Sequence, residues 1–111
     1  MTNNEREEYR LAALAAGYDY RHVEGVGHVR WIRSGKSGFY GGWSPKTDKA
    51  DSFDLMAACR MDLFLSSGSV RASNGESVSG IYQSDKPIDE QAMEVIFMRA
   101  VAKGRSIEER K

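Results

Sequence analysis

The sequence predicts an α+β fold in the order helix, hairpin, helix, hairpin, helix. Three stretches combine helical spacing of apolar residues with capping residues, and two stretches between them shorten to the period of a strand around glycine-containing turns. A length of 111 residues suits one domain with one core. We therefore expect an antiparallel sheet of about four strands packed with three helices, as a single domain over 1–104 with a solvated tail at 105–111.

The first helix is predicted over "EREEYRLAALAA". Asn4 and Glu7 have the spacing of a capping box, and the glutamates of the first turn suit the positive end of the helix dipole. Leu11 and Leu14, with the alanines, supply an apolar stripe. Gly17 is expected to end the helix, because glycine accepts the left-handed conformation that closes many helices.

The first hairpin is predicted over "YDYRHVEGVGHVRWIR". A two-residue loop at Gly25-Val26 would pair His22 with Val29. One face would then be aromatic and apolar and the other polar; the members are Tyr18, Tyr20, Val29 and Trp31 on the first, and Asp19, Arg21, His28 and Arg30 on the second. A three-residue loop would shift the register and mix the two faces.

The second half of the chain repeats the pattern. "DSFDLMAACRMDLF" predicts a helix capped by Asp51 or Ser52, while residues 63–67 fit either helix or strand. Asn74-Gly75 suits a tight type I′ turn between two strands. "DKPIDEQAMEVIFMRAVAKG" predicts a third helix that Lys103-Gly104 closes.

The amino-acid composition excludes few classes of function, and nothing in it indicates an enzyme. The 16 basic and 16 acidic residues cancel, so global charge indicates neither nucleic acid nor membrane. The single Cys59, the charged N-terminus and the lack of a long apolar run predict a soluble cytoplasmic protein. We expect no cofactor and no metal: the chain has two histidines and one cysteine, and capping and helix-dipole roles explain Asp48, Asp51 and Asp54 without a cation.

The stretch "SGKSGFYGGW", residues 34–43, resembles the end of a phosphate-binding loop at Gly35-Lys36-Ser37. The full motif would place its first glycine at position 30, which is Arg30, and no helix can follow through "FYGGWSP". The sequence therefore favours a structural loop over a nucleotide site.

A basic and aromatic segment spans residues 20–46, with five basic residues and one acid, Glu24. Such a segment can bind an acidic protein surface or a nucleic-acid backbone, and the alternative is that its rings face the core and its cations are only solvated. The candidate partner-binding residues are Arg33, Lys36, Phe39 and Tyr40, followed by Arg21 and Arg30. Trp43 and Pro45 are predicted to be architectural, with Trp43 packed against Phe53 or Met56.

The stretch "GGWSPKTDKADSFDLM" resembles the bacteriophage ABA-sandwich domain family, small phage or prophage accessory proteins in which a W-[N/S]-P-S-T-D-like stretch leads into a helix. Trp43, Ser44, Pro45, Thr47 and Asp48 match, and Lys46 departs from the usual small residue. "LAALAAGYDYRHVEG" and "EVIFMRAVA" are similar to the first helix and strand and to the closing helix of that family. The resemblance implies an α/β/α sandwich and supplies no catalytic residues.

Three hypotheses about function follow. The first is a non-enzymatic, phage-derived protein that binds a host protein or protein complex, with anti-CRISPR-like inhibition of host defence as a special case. The second is a nucleic-acid-binding accessory protein that uses residues 20–46. The third is a nucleotide-binding protein or small enzyme at Gly35-Lys36-Ser37, which the missing motif glycine disfavours.

Overall fold

The computed structural model describes residues 3–34, 37–75, 77–82 and 84–110, without the side chains of Asn3 and of residues 31–41. The described residues form an α+β fold of three helices and two antiparallel three-stranded sheets. The chain divides into two compact units, of which unit 1 is Met1–Ser44 with Ala100–Lys111 and unit 2 is Pro45–Arg99. The predicted fold class is thus found, with six strands in two sheets instead of about four in one.

Unit 1 begins with helix α1 (Asn3–Ala16), which ends where the sequence predicts. Gly17 has a φ of +78°, its N–H bonds to the Leu14 carbonyl at 3.2 Å, and the N–H of Tyr18 bonds to the Ala13 carbonyl at 2.9 Å. These two bonds are the Schellman pattern, which satisfies the last carbonyls of a helix and needs a left-handed residue. The helix therefore turns directly into the first sheet.

The first sheet contains β1 (Asp19–Val23), β2 (Gly27–Ser34) and β3 (Ser37–Gly42) in that order. Val23 pairs with Gly27, so the β1–β2 loop has three residues and the predicted two-residue register is wrong. Gly25 takes a positive φ of +81° inside a turn that the Val26 N–H closes on the Val23 carbonyl at 3.0 Å, and Gly27 follows at +105°. Tyr20 consequently lies opposite Arg30, and His22 lies opposite His28.

Strand β3 is a third strand where the sequence predicted mainly turns. Ile32 pairs with Phe39 and Ser34 with Ser37. The short extended piece expected at Phe39-Tyr40 therefore belongs to a full strand, because β2 offers it a backbone edge. The N–H of Trp43 then bonds to the His28 carbonyl at 2.9 Å, which fixes where the chain leaves the sheet.

Unit 2 contains helix α2 (Lys49–Ala58), followed by β4 (Asp62–Leu65), β5 (Ser69–Ser73) and β6 (Val78–Tyr82) in one sheet. The cap of α2 is Asp48, not Asp51 or Ser52, and its carboxylate accepts a hydrogen bond from the Asp51 N–H at 2.9 Å. The segment that fitted either helix or strand contributes β4. Ser73 pairs with Val78, so the second turn spans four residues and not the predicted two.

Helix α3 (Ile88–Glu109) does not end at Gly104, and the predicted tail is largely helical. Gly104 lies against α1: a Cβ atom on it would be 1.9 Å from the carbonyl oxygen of Leu11. This glycine serves a close approach of two helix backbones instead of a helix end. Beyond it, Glu108 pairs with Arg10 of α1 at 2.6 Å, so this turn of helix is tied to unit 1.

Candidate binding surface

An aromatic cluster fills one face of the first sheet beneath α1. The Tyr9 ring stacks on the His28 imidazole with centroids 3.5 Å apart and planes 1° from parallel. Trp43, which is 1% exposed, meets the rings of Tyr9, Tyr18 and Tyr20 edge-on at 5.7, 5.9 and 6.4 Å. The cluster, formed by these five residues, is the aromatic core of unit 1.

Arg30 belongs to this cluster and not to an exposed polar face. Its guanidinium lies 5.0 Å from the Tyr18 ring and 5.9 Å from the Trp43 ring, and the residue is only 5% exposed. Two aromatic faces stabilise a cation that burial would otherwise penalise. The expected exposed position of Arg30 is not found, because the shifted register turns its side chain inward, toward Tyr20 and the cluster.

His28 is held between a tyrosine and a glutamate. Its Nδ1 lies 2.6 Å from the Tyr20 hydroxyl, and its Nε2 lies 3.8 Å from a Glu5 oxygen, too far for a hydrogen bond. Burial lowers the pKa of His28 more than Glu5 raises it, and burial also raises the pKa of Tyr20. The neutral imidazole then accepts from Tyr20 and directs Nε2–H toward Glu5. We interpret this set as architectural, since Tyr9 covers the imidazole face.

The remaining predicted residues fall into three groups. Arg21 is exposed on β1. Lys36 lies outside the described residues, as do the side chains of Arg33, Phe39 and Tyr40, so their partner-binding role stays a prediction. Trp43 and Pro45 are buried, and the packing of Trp43 against Phe53 or Met56 stays a prediction.

The second sheet carries an exposed face that sequence reasoning missed. Register places Phe64, Arg71 and Gly80 side by side across the three strands. Alternation along β6 puts Val78 and Tyr82 on the same side. We call this surface the outer face. Phe64, Val78 and Tyr82 are 45%, 56% and 66% exposed there, although burial of apolar side chains is the usual driving force for folding.

The opposite face of the sheet already supplies a core. Val70 and Ala72 of the central strand β5 are 2% and 0% exposed and alternate with Arg71. A sheet with one buried face normally presents polar residues on the other. The apolar outer face thus departs from the usual pattern of a solvated sheet surface.

The side chains of the outer face are in contact with one another. The Arg71 guanidinium lies over the Phe64 ring, 5.4 Å from its centroid. A Cβ on Gly80 would lie 3.1 Å from Arg71 Cγ and from the Tyr82 hydroxyl oxygen, so both side chains converge above the glycine. Two rings and one guanidinium therefore form a continuous surface over the middle of the sheet.

Sequence reasoning could have found this face only with the register in hand. Phe64 lay in the segment that fitted helix or strand, and Arg71 and Tyr82 are 11 positions apart in the sequence. The one available signal was the alternation of Val78, Gly80 and Tyr82.

Comparisons with known proteins found no relative of this chain. The sequence matches no family model, and searches of curated proteins and of solved structures find no match. Among the described residues, none of the helices has the length and apolar character needed to span a bilayer. In the same part of the chain, no three histidine, cysteine or acidic side chains are grouped as a metal would require.

Proposed function

We propose that this protein is a non-enzymatic binding protein that holds another protein on its outer face. One observation carries the proposal: on an exposed sheet surface Arg71 lies against the Phe64 ring, and its stem meets Tyr82 above Gly80. Aromatic residues and arginine are the residues that supply most of the binding energy at protein interfaces. Exposure of such a group in the free chain is a property of interfaces more than of solvated surfaces.

Charge favours a protein over a nucleic acid at this surface. Unit 2 carries six basic and nine acidic residues, counted from the sequence within the unit boundaries. The outer face has one cation, Arg71, and an acid, Asp62, two residues before Phe64 on β4. Nucleic-acid affinity depends on several cations that neutralise phosphates. A single arginine with Asp62 on the same face opposes that mode of binding.

The phage family resemblance extends the proposal to the identity of the partner. A small accessory protein of phage origin would act in the cytoplasm of the host cell on a host macromolecule. Inhibition of a host defence complex, as by an anti-CRISPR protein, is the special case that fits a small protein working by occupying a surface. The α/β/α sandwich belongs to the same proposal.

The test is affinity capture from bacterial lysate with matched variants. The wild-type protein is compared with a double variant, Phe64→Ser with Tyr82→Ser, and with Val26→Ser as a control. Val26 is 62% exposed in the β1–β2 loop, so its variant removes an exposed apolar side chain elsewhere. We expect a captured protein that the control retains and the double variant loses.

Capture that is identical for all three proteins would contradict the outer-face assignment. Circular dichroism of each variant ensures that a loss of capture does not reflect unfolding. If the partner were lost only when Arg33, Lys36 and Tyr40 are changed, the binding site would lie on the β2–β3 hairpin and not on the outer face.

A further inference from the structure

We infer that the partner places the carboxylate of an aspartate or glutamate side chain on the guanidinium of Arg71. This inference rests on the proposed function, and it names the chemistry that the outer face recognises. The occupant is a protein segment with an acidic residue at its centre and apolar residues on either side.

The position of Arg71 supports a central role. It lies on β5, the middle strand, with Phe64 beside it on β4 and Gly80 beside it on β6. The central position of an interface is where contacts are most fully desolvated and contribute most to affinity. An arginine at that position must be matched by the partner, because a desolvated cation without an anion opposes binding.

The Phe64 ring covers one side of the Arg71 guanidinium and leaves its N–H groups to bind an anion. The ring centroid lies 5.4 Å from the charged group, and the ring limits hydration on that side. No hydrogen bond or ion pair engages Arg71 among the residues that the structure describes, so its N–H donors are available. A planar fork of donors matches the two oxygens of a carboxylate, which it binds in a bidentate manner.

Gly80 lets the side chains of Arg71 and Tyr82 come together above β6. Because glycine has no side chain, the Arg71 stem and the Tyr82 ring meet directly above its backbone. A Cβ at this position would lie 3.1 Å from Arg71 Cγ and 3.2 Å from Tyr82 Cζ. The Tyr82 ring provides apolar surface on that side and is 66% exposed. A segment with apolar residues around its acid would therefore contact rings on both sides of the arginine.

The surrounding charges select a single carboxylate over a polyanion. Asp62 lies on the same face, one row from Arg71, and unit 2 has an excess of acid. Several phosphates in sequence along this face would meet Asp62, whereas one carboxylate within an apolar segment needs only the arginine. The acid beside the arginine thus disfavours the binding of nucleic acid to this face.

The experiment uses a displayed library of random peptides, linear and cyclised, selected on the full-length protein. Selected peptides are then tested against Arg71→Glu, Arg71→Lys, Tyr82→Ser and the control Val26→Ser. We expect peptides enriched in aspartate or glutamate whose affinity falls at least tenfold with Arg71→Glu and with Tyr82→Ser. Lysine should restore part of the binding, because it keeps the charge and loses the fork. A labelled single-stranded oligonucleotide serves as the polyanion probe.

The outcomes separate the inference from the proposed function. In one outcome, the selected peptides depend on Tyr82 and yet show no enrichment in acidic residues; in another, they depend on Tyr82 and yet tolerate Arg71→Glu. Either result would overturn the inference that Arg71 binds a carboxylate and would leave the outer face as a protein-binding site. Oligonucleotide binding that depends on Tyr82 would overturn the protein partner. A library that yields no peptide dependent on Tyr82 would overturn both.

Discussion

Replacing Gly104 by alanine should destabilise the protein, although alanine is the better helix former. A Cβ at this position would be 1.9 Å from the carbonyl oxygen of Leu11 and 2.6 Å from its carbonyl carbon. Both atoms belong to the backbone of α1, so no side-chain rotation relieves the overlap. The two helix segments must separate, and the contacts around them are lost with the separation.

The net cost follows from two opposing effects. Overpacking of a tight interior position costs about 1–3 kcal/mol. Alanine recovers about 1 kcal/mol of helix propensity relative to glycine. Because the clash is with backbone, the upper part of the overpacking range applies, and we expect a net loss of about 2 kcal/mol. That loss corresponds to a fall in Tm of roughly 10 °C for a domain of this size.

Urea unfolding followed by circular dichroism measures this cost directly. Gly17→Ala is the matched control: its φ of +78° strains any side chain, but nothing lies within 4 Å of the added atom. It should lose only about 1 kcal/mol. A larger residue separates the mechanisms further, because Gly104→Leu should prevent folding of unit 1. If Gly104→Ala were as stable as the wild type, or if the leucine variant matched the alanine variant, the close approach of the helices would be refuted.

The other predictions address the aromatic cluster, the outer face and the β2–β3 hairpin. Trp43→Ala should cost about 3–5 kcal/mol and largely unfold the protein, since it removes the ring that Tyr9, Tyr18 and Tyr20 contact; an unchanged Tm would contradict this. Because the folded-state pKa of His28 is lowered below 6.5, its contribution to stability is complete above that pH and is lost as the pH falls toward the folded value. Denaturant titrations from neutral pH to about pH 5 should show this loss in the wild type and less of it in His28→Phe; equal slopes would contradict it. Gly80→Ala should leave the Tm nearly unchanged but displace Arg71 and Tyr82, so peptide binding to the outer face should weaken; unchanged binding would contradict the role assigned to Gly80. A variant of the β2–β3 hairpin combines Arg33→Ala, Lys36→Ala and Tyr40→Ser. It should keep its Tm and lose at least tenfold in affinity, about 1.4 kcal/mol, for any partner that the hairpin contacts; undiminished affinity would remove the hairpin as a site.

Local signals made part of the fold predictable from the sequence. The end of α1 at Gly17 depends on one glycine and the carbonyls of the preceding turn, and these interactions act over six residues. The fold class depends on hydrophobic periods that are equally local. The class and the first helix end were therefore available before the structure.

Features that depend on distant contacts were not available. A two-residue and a three-residue loop around Gly25 both fit the glycine pattern, and only the pairing of Val23 with Gly27 decides between them. This one-residue shift of the β1–β2 pairing places Arg30 in the aromatic cluster and not on the proposed binding face. Gly104 was expected to end a helix because the sequence does not reveal that Leu11 lies against it.

The distribution of polar and apolar residues is the strongest argument that the outer face has a role beyond folding. His28 and Arg30 are 9% and 5% exposed, whereas Phe64 and Tyr82 are 45% and 66% exposed. Stability alone would favour the reverse, since burial of a ring is favourable and burial of a charge is not. The aromatic cluster compensates for its buried cation with ring contacts, whereas Phe64 and Tyr82 stay largely exposed despite their contacts with Arg71 and Gly80. We therefore expect Tyr82→Ser to change the free energy of unfolding by less than about 0.5 kcal/mol while it weakens partner binding. A variant that lost stability and kept its binding would show that the ring serves the fold.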